Sequence, residues 1–173
     1  MDAGCFIQSH KYAYQILFDS IARENFLRDY DRMLDLFCGI GNFTVLCSRI
    51  VDHVHGIDSS EIALDAAKRS IDLNKIPNVE LSLRDLKKGI PGNVRNTKWD
   101  VVLLDPPRTG AMQVISDLEI MQPDRIIYVS CDPSTLMRDL SPLLQHGYRL
   151  HKSVLVDLFP QTFHIESVNF LSR

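Results

Sequence analysis

Apolar residues recur along this chain in two alternating periods. Ile16, Leu17, Ile21 and Phe26 fall at helical spacing, which predicts a helix over 12–27. Residues 32–37 form a short apolar run ending in Gly39 and Gly41, the pattern of a buried strand meeting a turn. A helix is predicted over 43–51, then a second strand over 54–57 closed by Asp58. Ser60 opens a helix reaching to about residue 74, with Glu61 and Asp65 early and Lys68 and Arg69 late, the polarity the helix dipole favours. Strands are predicted over 79–83, 101–104 and 126–129. The fourth closes in Asp105-Pro106-Pro107 and the fifth in Ser130-Cys131. Pro133 suits the first turn of the next helix, where its missing N–H costs nothing, and that helix stops near His146-Gly147. Two last strands are predicted over 150–156 and 164–171.

Strands alternating with helices imply an α/β fold: a mostly parallel seven-stranded sheet with helices on both faces. The connection from Asp157 to Phe163 is shorter than the roughly 12 residues a parallel crossover needs. The last strand is therefore predicted to run antiparallel to its neighbours. Its start then shares an edge with the ends of the parallel strands. Phe37, Asp58, Asp105, Cys131 and Glu166 should gather along that carboxyl edge, where open α/β sheets bind ligands.

Composition narrows the reading. The 173 residues suit one domain. Hydrophobic residues make up 45% and charged residues 24%, so a folded core is expected rather than disorder. The net charge of −3 excludes a strongly basic nucleic-acid arm, though not a local patch such as Lys87, Lys88, Arg95 and Lys98 around an apparent loop. With few phosphate contacts, the chain alone is expected to bind RNA weakly. No apolar run approaches the ~18 residues of a membrane span, and the opening lacks the parts of a signal peptide. Cys5, Cys38, Cys47 and Cys131 show no Cys-x-x-Cys spacing, so neither a zinc site nor a disulfide framework is expected. A reducing cytoplasm fits, and a monomer is expected.

Candidate chemistry starts at Asp35-Leu36-Phe37-Cys38-Gly39-Ile40-Gly41-Asn42. Its glycines let backbone approach a ligand, but such turns also serve plain strand–helix packing. Thr44 stands where the nicotinamide fingerprint needs a third glycine, which argues against a nicotinamide-dependent oxidoreductase with a variant loop. Asp58 follows the loop by about 20 residues, where an acid accepts hydrogen bonds from ribose hydroxyls or caps the next helix. Asp105, held before two prolines, could meet an amine or a ribose, or simply end its strand.

On these stretches the chain resembles the S-adenosylmethionine-dependent RNA uracil-C5 methyltransferases, and among them the ribosomal 23S type. The matching segments are Phe6-Ile7-Gln8, LDLFCGIGNFT at 34–44, LLDPPRTG at 103–110, YVSCDPSTLMRDL at 128–140 and DLFPQTFHIES at 157–167. The resemblance implies a Rossmann-like class I methyltransferase fold. It implies S-adenosylmethionine contacts from Gln8, Phe37, Gly39, Asn42, Asp58, Asp85 and Asp105, with Cys131 as nucleophile and Glu166 as general base. It implies RNA as the substrate, ribosomal before transfer RNA, with no membrane partner. His10 stands where the family usually has Asn, Asp58 where Glu is common, and Asp132 where Asn is common. Family members also carry an N-terminal RNA-binding barrel and a central domain. The chain is thus expected to be the catalytic domain alone.

The chemistry suits these residue types. Carbon 5 of uracil is a poor nucleophile until a thiolate adds to carbon 6, and a base must afterwards remove the proton from carbon 5. A helix start after Pro133 is expected to lower the Cys131 pKa. Burial is expected to raise Glu166 towards the range of a base. Taken alone, Cys131 could be a buried structural thiol, and Glu166 could be an ion-pair partner of Arg108 or Arg138. His164 could orient Glu166 or be purely structural. A non-catalytic binding module with this fold remains a third reading, against which Cys131 and Glu166 stand.

Overall fold

The computed structural model describes residues 13–158 and 165–173. Cys5, Gln8, His10 and His164 lie outside the described residues. The elements run α1 (Ala13–Arg23), β1 (Arg32–Leu36), α2 (Asn42–Cys47), β2 (His53–Asp58), α3 (Glu61–Leu73), β3 (Val79–Leu83), α4 (Gly92–Arg95), β4 (Val101–Leu104), α5 (Met112–Met121), β5 (Arg125–Ser130), α6 (Pro133–Gln145), β6 (Arg149–Val156) and β7 (Glu166–Ser172). A 3-10 turn, Leu86–Lys88, precedes α4. The sheet order is β3-β2-β1-β4-β5-β7-β6. β1 to β5 pair in parallel, and β7 runs antiparallel to both β5 and β6, as the short connection predicts.

The central strands are buried on both faces, so their residues alternate between two cores. Leu34, Leu36, Val102, Leu104, Ile126 and Tyr128 pack under α4, α5 and α6. Met33, Val101, Leu103, Ile127 and Val129 pack under α1 and α2. Polar atoms lock β7 to β5 across this interior. Asn169 Nδ2 donates to Tyr128 O at 3.0 Å, and Ser167 Oγ donates to Ser130 O at 3.3 Å. At the opposite, amino edge Arg125 forms a buried pair with Asp31 at 2.6 Å and donates to Phe26 O at 2.8 Å.

The structure departs from the local predictions at five points. α1 stops at Arg23 because Asn25 turns the backbone left-handed (φ 50°), although Phe26 continues the helical spacing. Phe26 instead stacks edge-on against Phe170, with ring centroids 5.2 Å apart. α2 is shorter than the predicted 43–51 and closes at Cys47. Phe37 is not the last strand residue; it adopts φ 64°. α5 was not predicted at all, and residues 86–95 form the 3-10 turn and α4 rather than a loop. In that basic stretch Arg95 is engaged, pairing with Asp117 at 2.9 Å.

Candidate active site

The glycine turn and β2 meet through Asp58. Its Oδ2 accepts from Gly39 N at 2.9 Å and its Oδ1 from Ser60 N at 2.8 Å. Ser60 itself caps α3, accepting from Ala63 N at 3.2 Å. Asp58 thus tightens the loop and the helix entry together, and each carboxylate oxygen keeps a second lone pair. Phe37, Gly39 and Gly41 all have positive φ. Gly41 is required there on two grounds: its φ is +80°, and a Cβ would stand 2.9 Å from Ala67 Cβ, so a side chain would push α3 away. In front of Gly39 a Cβ would meet nothing within 4 Å, so the turn faces open space.

Behind the turn lies Asp35, fully buried. Its Oδ2 accepts from Thr44 Oγ1 at 2.5 Å, while its Oδ1 has no partner. Burial first, and then the Asp58 charge, pushes the Asp35 carboxyl up to about 7. Asp105 is pushed up to about 8 by burial, then by Glu166 and Asp35. Tyr14 of α1 joins this acidic group. Its ring meets Phe43 edge-on at 5.4 Å, its hydroxyl bonds the Asn42 side chain, and burial and Asp105 raise its pKa. Asp85 lies just past β3, exposed, and accepts from Lys87 N at 3.0 Å.

Strand register brings the two proposed reacting groups together. The β5–β7 ladder ends at the pair Ser130↔Ser167. The next residues outward are Cys131 and Glu166, and Glu166 is close enough to raise the thiol electrostatically. Glu166 is 8% exposed, and burial raises its pKa as predicted. The Cys131 thiol is also raised, by burial and then by Glu166, which corrects the expected lowering by the helix start. That helix is capped instead by Asp132, whose Oδ1 accepts from Thr135 N at 2.8 Å. Arg108 opposes both shifts, lowering Cys131 and Glu166 alike. Arg138 is committed to Asp139. Among the described residues Arg108 is therefore the cation of the site, which the sequence offered only as one of two partners for Glu166. Cys38 and Cys47 are buried, with thiols pushed up by burial, as structural cysteines.

Of the predicted residues, Phe37, Gly39, Asn42, Asp58, Asp85, Asp105, Cys131 and Glu166 line one edge of the sheet. A cavity of about 540 Å³ opens on the other edge, against Phe26, Arg125, His151 and Arg173, and none of them borders it. Tyr14 was missed, because only the packing of α1 on α2 brings it to the edge.

The fold agrees with the comparisons. The sequence profile of the family described as tRNA (Uracil-5-)-methyltransferase matches residues 2–173. The chain is 38% identical over 173 residues to the 23S rRNA (uracil(1939)-C(5))-methyltransferase RlmD of Pasteurella multocida, covering 99% of this chain and 40% of that protein. It is 38% identical over 166 residues to an uncharacterized RNA methyltransferase of Thermotoga maritima, covering 94% of this chain and 37% of the other. It superposes on the Pyrococcus abyssi tRNA (uracil-54, C5)-methyltransferase, crystallised with S-adenosyl-L-homocysteine, with TM-score 0.81 and 28% identity over 97% of this chain and 40% of that one. The chain thus spans about 40% of the length of these relatives. The fold is that of the class I methyltransferases, and the chain belongs to the tRNA (uracil-5-)-methyltransferase family.

Proposed function

We propose that this chain is the catalytic domain of an S-adenosylmethionine-dependent methyltransferase that acts on carbon 5 of a uridine in RNA, ribosomal before transfer RNA, through a covalent cysteine–uracil adduct. The observation that carries the reading is the β5–β7 register, whose last pair, Ser130 with Ser167, leaves Cys131 and Glu166 as the next residues outward at the carboxyl edge. The curated relatives' names favour a ribosomal target.

The residues fit the cofactor. Asp35 Oδ1 is a buried acceptor with no partner, suited to a cationic group, and the face of Gly39 is open. Asp58 would hold ribose hydroxyls with its remaining lone pairs. Phe37, Gly39, Asn42, Asp85 and Asp105 would complete the cradle, with Gln8 from the N-terminal segment. When bound, S-adenosylmethionine supplies an electrophilic methyl on a sulfonium.

The chain's own residues do the rest. Cys131 loses its proton to solvent water, with Arg108 favouring the thiolate against burial, and its sulfur bonds to carbon 6 of uracil. The electron pair of the 5,6 double bond moves into an enolate, which makes carbon 5 nucleophilic. After carbon 5 is methylated, Glu166 takes the proton from carbon 5. The electrons of that C–H bond rebuild the double bond as the C6–S bond breaks and the thiolate returns.

Labelled 23S rRNA and tRNA transcripts run on denaturing gels test this. In the full-length enzyme of which this chain is the catalytic domain, Glu166→Gln should accumulate a methylated RNA–protein adduct, and Cys131→Ala should form none. RNA carrying 5-fluorouridine should trap the wild type, because fluorine cannot leave as a cation. Normal turnover by Glu166→Gln, or an adduct with Cys131→Ala, would overturn the roles. Preferential trapping of tRNA would overturn the ribosomal target.

A further inference from the structure

Two segments carry the reacting end of the site, and chain order does not join them. One is the turn from Asp105 to Ala111, which holds Arg108. The other is the junction of β5 and α6, which holds Cys131. The whole of α5 lies between them. Two residues on α6, Arg138 and Asp139, tie them together. Asp139 is 0% exposed. Its Oδ2 accepts from Ala111 N at 2.5 Å and from the Tyr128 hydroxyl at 2.7 Å. Its Oδ1 accepts from Arg138 Nε at 2.9 Å and Nη2 at 2.7 Å. The same Nη2 donates to Thr109 O at 2.8 Å, one residue from Arg108.

Gly110 shows how tightly the turn is held. A Cβ there would overlap both Arg138 Nη2 and Asp139 Oδ2, and its φ is +79°. A buried charge of this kind is costly unless every lone pair is used, and packed apolar residues would serve stability at least as well. What the arrangement adds is placement. It fixes residues 109–111 relative to Tyr128, three residues before Cys131.

We infer that Arg138 and Asp139 form a positioning latch that clamps the 105–111 turn onto α6 and so sets Arg108 beside Cys131. The proposal rests on Cys131 as the nucleophile, and Arg138 and Asp139 act on it only through Arg108. Loosening the latch lets the guanidinium drift, and its stabilisation of the thiolate falls with distance.

The test needs neither RNA nor cofactor, so its outcome is separable from that of the methyltransferase reading. The chain is alkylated with iodoacetamide across a pH series, and modification of Cys131 is followed by peptide mass spectrometry. Arg108→Gln gives the reference, a midpoint moved to higher pH. Asp139→Asn should move the midpoint the same way and slow alkylation at pH 7 about fivefold. Combining it with Arg108→Gln should add nothing. Arg138→Gln, at a half-exposed position, should show the same signature and decides the matter if Asp139→Asn does not fold. A merely structural latch would expose Cys38 and Cys47 to alkylation and leave the Cys131 midpoint in place. An unshifted midpoint in Arg138→Gln, or a shift that persists in full without Arg108, would overturn the proposal.

Discussion

Asp35→Asn separates what the buried carboxyl does for the fold from what it does for a ligand. In the folded chain this carboxyl is held up to about 7 against an ordinary value of 3.8. As pH rises through 4, the unfolded chain releases this proton while the native chain keeps it. Native stability therefore falls with rising pH until the folded group also ionises near 7, and is level above that. The contribution is fully present only below the ordinary value. Between pH 5 and 7 the loss is about 1.4 kcal/mol per pH unit, or about 3 kcal/mol in all. Asparagine removes that slope. Its carbonyl can still accept from Thr44, but its amide takes the place of the unpartnered Oδ1 and costs about 1–3 kcal/mol at every pH. The variant should thus be the less stable protein at pH 5 and at least equal at pH 8. Relative to wild type, its Tm should rise by about 6–12 °C over that interval, at roughly 2–4 °C per kcal/mol for a chain of this size. Calorimetric scans at pH 5, 6, 7 and 8 read this directly. At pH 8, where the folded carboxyl is ionised, the same variant should bind S-adenosylmethionine about 10- to 150-fold more weakly, the worth of one charged hydrogen bond. Parallel Tm curves for the two proteins would refute the buried, raised carboxyl, and unchanged affinity would refute its part in binding.

Asp58→Ala should weaken binding of S-adenosylmethionine to this chain by about 1–3 kcal/mol in titration calorimetry, and unchanged affinity would remove it from the ribose site. Asp31→Ala strands the buried Arg125 guanidinium and should cost about 3–5 kcal/mol in urea unfolding, whereas a cost under about 1 kcal/mol would mean that water reaches the pair.

The sequence shows the sheet edge well and the helices around it less well. Asp58, Asp105 and Cys131 each end an apolar run, so a short-period pattern alone places them at strand ends, and the brief 157–163 link predicts the reversed last strand. α5 escaped because Met112, Val114, Ile115, Leu118, Ile120 and Met121 wrap the helix without forming one apolar stripe, and Met112 and Ile120 are exposed. The left-handed Phe37 escaped because no local rule makes an aromatic residue leave a strand there. The raised Cys131 thiol escaped for another reason. A helix start is visible in sequence, whereas burial and a carboxylate arriving from β7 are not. Tyr14 and the Arg138–Asp139 contacts likewise exist only once distant segments pack.

The pairing of β7 with β5 works as a ruler with coarse marks. Moving one strand past the other by a single residue would turn every side chain of β7 over. The next permitted position is two residues away, about 7 Å, too far for thiol and carboxylate to share one uracil. Gradual drift is closed to this pair. Their spacing is set by the ladder itself and not by the number of residues that join β6 to β7.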